Sequence, residues 1–373
     1  MLSVEETNQY QRHLSLPSFG IAAQEKLKCA SVLVIGAGGL GCPALQYLAA
    51  AGVGKIGIVD EDIIESSNLQ RQVLYNQDNV GKPKAEIAAI KLQRMNPYIE
   101  IHSHTVRFTA GNAESLLKEY DIILDGTDNF SSRYLINDAC VLFDKVLIYG
   151  AIYQFEGQVS VFNYKNGPTY RCLFPNPPSS NALPSCSEVG VLGVLPGIIG
   201  SFQALESIKV ITGVGTPLSG RVLLYSALDQ KTRLIGLKSQ LDRRKNISLE
   251  ESSSSCSFKI KEETDQMIVE SEPNEFFKML NEDKGILILD VREAWEREMS
   301  KISPSVHIPL SEFNSTHGVN LSGDPSEQNV LVYCKAGVRS RMACESLKAQ
   351  GFKKLYNLSG GILQWEADGF PLD

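Results

Sequence analysis

Residues 30–41 read ASVLVIGAGGLG, and no other stretch constrains the fold as strongly. An apolar strand runs straight into a glycine-rich turn, the turn opens a helical segment, ALQYLAAAG, and a second apolar strand follows, KIGIVDED. That succession is a βαβ unit. Gly36, Gly38 and Gly41 form GxGxxG, with Gly39 inside it, where unpaired backbone amides and the helix dipole favour a phosphate. Asp60 ends the second strand, placed to accept from ribose hydroxyls. Taken alone the motif fits a dinucleotide-binding fold for NAD or FAD.

Further apolar strands are expected at IEIHSHTVRF, YDIILDGTD, KVLIYGA and GQVSVFNY. They alternate with helical KAEIAAIKLQRM and SRYLINDACVLF, the pattern of an α/β unit with a mainly parallel or mixed sheet. From about residue 238 the sequence turns polar and serine-rich, SQLDRRKNISLEESSSSCSFKIKEE, as an exposed linker does. A second alternation of strand and helix follows through GILILDVRE, VHIPLSEF, NVLVYCKAG, MACESLKAQG and KLYNLSGGILQWEADG. The expected division is therefore a first domain over residues 1–240, a linker over 241–263 and a smaller α/β domain over 264–373. A chain of 373 residues is long enough for two cores. No apolar run reaches the ~18 residues of a membrane span, and MLSVEETNQYQRHL resembles neither a signal peptide nor a transit peptide, so the cytoplasm is expected. A net charge of −7 gives no reason to expect nucleic-acid binding, and polyphosphates must be met by locally gathered cations.

Such cations follow Asp60. Asn68, Arg71 and Lys84, in SSNLQRQ and VGKPKAE, place an amide and two positive charges beyond it, more than a pyrophosphate needs but suited to a triphosphate. As surface residues they would be solvated charges only. Asp128, beside Asn129 in LDGTDN, follows a buried strand, where a loop carboxylate can hold Mg²⁺ on phosphate oxygens. Its competing role is a helix N-cap before SSRYLIN.

GAGGLG, VDEDIIESSNLQRQ, VGKPKAE and DGTDN together resemble the adenylating domain of MoeB/ThiF-type enzymes, relatives of the ubiquitin-activating enzymes. The likeness runs over about residues 5–237 and includes YQRHL, YGAIYQFEGQVSVF and NALPSCSEVGVLGVLPGIIGS. It implies a Rossmann-like, ATP-binding fold. It also implies adenylation of the C-terminal glycine carboxylate of a small ubiquitin-fold sulfur carrier ending in Gly-Gly, of the MoaD/ThiS type, with release of pyrophosphate. On that basis Asp60 would bind ribose, Arg71 and Lys84 the phosphates, Asn68 would support them, and Asp128 and Asn129 would stand at the magnesium and nucleotide. Arg12 resembles the arginine that the family donates across a homodimer. Cations placed in advance stabilise the charge built when a carboxylate attacks the α-phosphate.

Eight scattered cysteines argue for individual thiols over a disulfide framework. Cys186, in NALPSCSEVG, precedes an apolar helix, where a helix N-terminus lowers a thiol's pKa, and the resemblance places a crossover-loop cysteine there. An incidental loop thiol is the alternative. Cys42, Cys29, Cys140 and Cys344 read as structural, and Cys256 falls in the linker. Relatives commonly hold a structural zinc with two Cys-x-x-Cys pairs. Here the first position reads Thr169, Tyr170, Arg171, Cys172, and SQLDRRKNIS contains no cysteine, so no zinc is expected and other packing must tie that region down.

Cys334 follows a buried strand and heads CKAGVR: Lys335, Ala336, Gly337, Val338 and Arg339, with a helix expected from about Ser340. Loop amides curling around an atom form an anion nest that stabilises a thiolate or a persulfide. Gly337 permits the turn, and Arg339 and Arg341 add charge or are surface residues. Four residues separate Cys334 from Arg339, one fewer than in cysteine phosphatases, and the smaller ring suits one sulfur. LDVREAWE, VHIPLSEF, YCKAGVRSR and LSGGILQW resemble a rhodanese domain, in which Asp290 and Arg292 would support the loop. The two resemblances imply one pathway: an acyl-adenylate is met by a Cys334 persulfide, fed by a cysteine desulfurase or other donor, and Cys186 resolves the product to a thiocarboxylate. Molybdopterin synthesis is the expected destination, and thiamin synthesis or tRNA thiolation would use the same chemistry. A dehydrogenase with an appended sulfur module, and a non-catalytic scaffold that docks a ubiquitin-like carrier, are the rival readings.

Overall fold

The computed structural model describes residues 1–177, 190–240, 247, 249, 268–282, 285–313, 325 and 327–373. Cys186, Cys256 and most of the expected linker lie outside them. The described residues divide into two compact units, one on each side of that linker.

The first unit is built on one eight-stranded sheet. Its strands are β1 (Ser31–Ile35), β2 (Lys55–Val59), β3 (Glu100–His104), β4 (Ile122–Asp125), β5 (Val146–Tyr153), β6 (Glu156–Phe162), β7 (Arg221–Ser226) and β8 (Lys231–Gly236). Their order is β3-β2-β1-β4-β5-β6-β7-β8. Strands β1 to β5 are parallel and β6 to β8 antiparallel. The α/β class with a mixed sheet thus holds, while the β7–β8 hairpin was not foreseen. Val32, Leu33 and Val34 of β1 are fully buried in succession, because helices cover both faces of a parallel sheet and leave no solvent face to alternate with. The order reverses between β2 and β4 on either side of β1, which opens the crevice where α/β sheets bind ligands.

The helix Val194–Thr212 is long and apolar enough to cross a membrane by length and composition, although Glu206 and Lys209 interrupt its apolar run. In the structure it packs against the helix Gly41–Ala51 and strands β5 and β6, with Leu195, Ile199 and Ala204 buried, and ends on left-handed Gly213. At the N-terminal side, Asn96 donates to the Tyr10 hydroxyl (2.8 Å) and to the Ala49 carbonyl, while Gln24 meets His13 Nδ1 at 3.1 Å. These buried bonds hold the short helix Gln11–Leu14, which carries Arg12.

The second unit has five parallel strands, β9 (Ile268–Ser271), β10 (Leu287–Asp290), β11 (Val306–His307), β12 (Asn329–Tyr333) and β13 (Lys354–Leu358), ordered β11-β10-β12-β13-β9. Successive strand residues face opposite sides. Val330, Val332 and Cys334 accordingly join one apolar cluster, and Leu331 and Tyr333 join another with Phe276 and Trp365.

Candidate functional site

The glycine loop after β1 lies against the loop after β4, and both are shaped by what a side chain would hit. Gly36 has φ +93°, and a Cβ there would sit 2.9 Å from the Gly126 carbonyl; a Cβ on Gly41 would sit 1.9 Å from the Gly36 oxygen. These contacts are with backbone, which cannot yield, so glycine is required at both. Gly38 would meet only the Gln72 amide at 3.6 Å, and Gly39 would meet Pro196 and, at 3.6 Å, Arg71 Cγ. Arg71 therefore lies along the loop, and its Nη1 donates to the Ser67 carbonyl at 3.1 Å.

Asp60 is tied to the same loop. Its Oδ2 accepts from the Ala37 amide at 2.7 Å and its Oδ1 from the Asp62 amide at 2.9 Å. Burial pushes this carboxyl above its ordinary value, against the pull of Lys84. Lys84 is itself buried at the start of the helix Lys84–Met95, with Nζ donating to Asp62 Oδ2 at 2.8 Å. Asn68 is buried, its Oδ1 accepting from the Glu65 amide at 3.2 Å. Glycines, Asp60, Asn68, Arg71 and Lys84 are thus gathered around one crevice. Arg12 is exposed on its short helix, and among the described residues no bond joins it to that crevice.

Behind Gly126 sits a residue that sequence reasoning passed over. Asp125 is 1% exposed, its Oδ1 accepts from the Thr127 amide (2.9 Å) and hydroxyl (2.7 Å), and its Oδ2 has no partner among the described residues. Burial pushes its carboxyl up, while the nearby Arg133 pulls it down. Its signal was a carboxylate ending an otherwise apolar strand. Asp128 is exposed, and it is not the helix cap: Asn129 caps the helix Phe130–Leu142, accepting from the Ser132 amide at 2.9 Å. That leaves the Asp128 carboxylate free of the cap, and a carboxylate oxygen is the kind of donor that a hard cation such as Mg²⁺ takes.

The other thiols sort by burial. Cys42 is fully buried, with its Sγ donating to the Ala37 carbonyl, and burial pushes it up to about 12. Cys140 and Cys344 are buried and likewise raised. Cys29, expected to be structural, is exposed at the end of the helix Gly20–Cys29. Cys172 accepts from the Thr169 amide (3.5 Å) and the Gln240 amide (3.4 Å). Tyr170 beside it packs among Tyr134, Tyr149, Phe162 and Phe174, and Arg171 makes a two-point bond to Asp138. Aromatic packing and this ion pair hold the region. No group of three or more metal-ligating side chains is found among the described residues.

In the second unit, Cys334 is 1% exposed and its Sγ accepts from the Gly337 amide at 3.1 Å and from the Ser340 hydroxyl at 3.3 Å. The following helix begins at Val338, earlier than expected, so its first turn points at the sulfur. The loop Ser359–Gly361 closes the other side. A Cβ on Gly361 would lie 2.5 Å from the Lys335 carbonyl carbon, and the Ile362 amide donates to the Cys334 carbonyl at 2.9 Å. Arg339 is not a surface residue, making a two-point bond to Glu296, while the half-exposed Arg341 pairs with the exposed Glu270. Asp290 and Arg292 form a buried pair (3.0 and 2.8 Å), and the Tyr333 hydroxyl donates to Asp290 at 2.8 Å, bracing the residue before Cys334. Glu296 and Gly361 were not singled out from sequence because each acts through a partner distant in the chain, and Ser340 because only the fold turns its hydroxyl onto the sulfur six residues before it.

The ThiF family model matches residues 10–246 and the rhodanese-like domain model residues 272–368. Over 371 residues, 98% of this chain and 94% of the other, the chain is 43% identical to a Mycobacterium tuberculosis protein named "Probable adenylyltransferase/sulfurtransferase MoeZ". It is 37% identical to the Arabidopsis thaliana "Adenylyltransferase and sulfurtransferase MOCS3", covering 99% and 85% of the two chains. A Thermus thermophilus "Sulfur carrier protein adenylyltransferase" is 52% identical over 239 residues, 63% of this chain and 88% of that one. Among solved structures, Escherichia coli MccB with ATP shares the fold, with a TM-score of 0.56 and 23% identity over 66% of this chain and 75% of that one. The chain belongs to the ThiF family, carries a rhodanese-like domain after the adenylating unit, and is an enzyme of the adenylyltransferase and sulfurtransferase type.

Proposed function

We propose that the chain adenylates the C-terminal glycine carboxylate of a ubiquitin-fold sulfur carrier and then delivers sulfur to it from a persulfide on Cys334, leaving a thiocarboxylate. The observation that carries this reading is the Cys334 cradle, with a backbone amide and a hydroxyl both aimed at one buried sulfur, in a chain whose other unit is a ThiF adenylating fold.

In the first unit the glycine loop receives the phosphates on backbone amides, and Asp60 orients the ribose. Lys84 and Arg71, with Asn68 in support, meet the phosphate charge as the carboxylate attacks the α-phosphorus and pyrophosphate leaves. Lys84 is held now by Asp62, an exposed carboxylate, so turning to phosphate exchanges one anionic partner for another. Asp128, with Asp125 behind it, would hold Mg²⁺, which neutralises phosphate charge when bound. Arg12 completes the site from a second copy of the chain in a homodimer.

In the second unit the persulfide's outer sulfur attacks the acyl-adenylate carbon. The C–S bond forms, the C–O bond breaks, and AMP departs with the electron pair. A thiolate, assigned to Cys186, then attacks the Cys334 sulfur of the acyl disulfide, forming a disulfide with it and freeing the thiocarboxylate. Molybdopterin synthesis is the pathway favoured, on a 42% identity to a Porphyra purpurea protein named "Probable molybdopterin-synthase adenylyltransferase" over 97% of this chain and 94% of that one, with a cysteine desulfurase as the sulfur source.

ATP–pyrophosphate exchange with a panel of carriers ending in Gly-Gly tests the first half. Exchange that depends on one carrier and is lost in Asp128→Ala is the expected result. No exchange with any carrier, in magnesium and reductant, would refute the reading.

A further inference from the structure

The hydrogen bonds around Cys334 contain one proton with two destinations. The Ser340 hydroxyl lies 3.3 Å from Cys334 Sγ and 3.0 Å from the Gly337 carbonyl. A hydroxyl has one hydrogen, so at any moment it serves one of the two. Ser340 is fully buried. The Gly337 carbonyl, however, does not depend on it: the Arg341 amide donates to the same oxygen at 3.2 Å and Asn357 Nδ2 at 3.0 Å. Asn357 is 2% exposed and held from its other side by Glu270 Oε2 at 2.7 Å, and Glu270 in turn pairs with Arg341. The carbonyl therefore stays satisfied whichever way Ser340 turns.

We propose that Ser340 is a catalytic donor that switches with the charge on Cys334, the Gly337 carbonyl being kept satisfied by the Arg341 amide and Asn357 when the hydroxyl turns away. This rests on the reading of Cys334 as the sulfur carrier. While Cys334 carries a sulfane sulfur, its Sγ is bonded on both sides and is a weak acceptor, and Ser340 donates to Gly337. When an acceptor such as cyanide takes the outer sulfur directly, and not by the Cys186 route that ends in a disulfide, a new bond to that sulfur forms, the Sγ–S bond breaks and the electron pair remains on Sγ as a thiolate. The Ser340 proton then turns to Sγ and joins the Gly337 amide already directed there at 3.1 Å. A donor that engages only as the charge develops stabilises the transition state more than the ground state, which is the condition for accelerating a step.

The consequence is an asymmetry between two half-reactions. Discharge creates the thiolate, so it should gain from Ser340. Charging consumes the thiolate, so a donor that stabilises it gives no acceleration. A hydrogen bond to a charged group contributes about 1.5–3 kcal/mol, so Ser340→Ala should slow discharge at least about tenfold. Once the thiol is ionised, charging should not slow.

The test uses the full chain, loaded with thiosulfate and discharged with cyanide in single turnovers. Cyanide takes the outer sulfur to give thiocyanate and the Cys334 thiolate, with charge conserved. Loading is followed as the mass gain of one sulfur atom, at a pH where iodoacetamide labelling of Cys334 has reached its plateau. The expected result is a discharge-to-charge ratio that falls at least about tenfold in Ser340→Ala. The ratio should stay near that of the unaltered protein in Asn357→Ala, because the Arg341 amide still satisfies the Gly337 carbonyl. A damaged loop slows both half-reactions together and leaves the ratio unchanged, which would overturn the proposal, as would a fall of the ratio in Asn357→Ala as large as in Ser340→Ala. Failure of the unaltered protein to take up any sulfur would overturn the Cys334 persulfide itself, a distinct outcome from an unchanged ratio in a protein that loads normally.

Discussion

Arg339 donates from both terminal nitrogens to the two carboxylate oxygens of Glu296, at 2.6 and 2.7 Å, with the side chains 12% and 9% exposed. The arginine that ends the cysteine loop thus fastens the helix Ala294–Met299 to the loop's exit and does not face the sulfur donor as a free cation.

That pair makes stability depend on acid. Burial alone would raise the Glu296 carboxyl, but Arg339 and the Glu293 amide hold it below its ordinary value near 4.5; Asp290 is held down in the same way by Arg292 and Tyr333. A depressed folded-state pKa contributes stability that is present above the unfolded value and lost as pH falls through the folded one. The second unit should therefore resist urea best near neutrality and progressively less below about pH 4.5, with a shallower decline in Glu296→Gln. The chain's two tryptophans, Trp295 and Trp365, both lie in this unit, so tryptophan fluorescence reads it alone. A urea midpoint that does not move between neutral and acidic pH would contradict the assignment.

Asp290→Ala should cost about 3–5 kcal/mol, since it strands a buried guanidinium. Arg292 is 3% exposed and loses its two-point partner, and the Tyr333 hydroxyl loses its acceptor. Lys118→Ala, at an exposed pair with Glu114, should change stability by less than about 0.5 kcal/mol. Urea titration of the two variants compares them, the first by tryptophan fluorescence and the second by circular dichroism; similar losses would be inconsistent with the burial described.

Two glycine substitutions should separate the activities. Gly361→Ala drives a Cβ into the Lys335 backbone at 2.5 Å, and Gly41→Ala drives one into the Gly36 carbonyl at 1.9 Å. The first should abolish sulfur loading of Cys334 and spare ATP–pyrophosphate exchange; the second should do the reverse. Both assays on both proteins check this, and loss of both activities in either variant would mean that the clash unfolds more than its own loop.

Lys84→Met keeps the buried stem and removes the charge. Exchange should fall by about 10²-fold, the scale for a donor aimed at developing charge, while the melting temperature should change little, because its present partner Asp62 is mostly exposed. Unchanged exchange would remove Lys84 from the phosphate site.

Much of the architecture is legible because it is local. The βαβ opening, the apolar strands and the glycine spacing follow from chain geometry and burial over a few residues, and the family likeness was carried by motifs in order. Where the reading slipped, a longer-range partner decided the matter. Asp128 and Asn129 are both good caps by composition, and only the turn of the chain gives the cap to Asn129. Arg339 and Arg341 read as loop charges until Glu296 and Glu270 arrive from other elements. The helix Val194–Thr212 has a membrane-like composition because it is a core helix of a large sheet, with neighbours that composition does not register.

By itself the sequence determined which atoms are available: glycines where a phosphate or sulfur needs bare backbone, cations after Asp60, a cysteine at the end of a buried strand. The tertiary structure alone decided which of those atoms are already engaged. Asp62 holds Lys84, Glu296 holds Arg339, and Asn357, with the Arg341 amide, satisfies the Gly337 carbonyl so that Ser340 is left with a choice. The reason is physical: a side chain's identity sets what it can bond, but a hydrogen bond needs a partner within about 3 Å, and side chains 20 to 43 positions from their partners come that close only when the sheet is assembled.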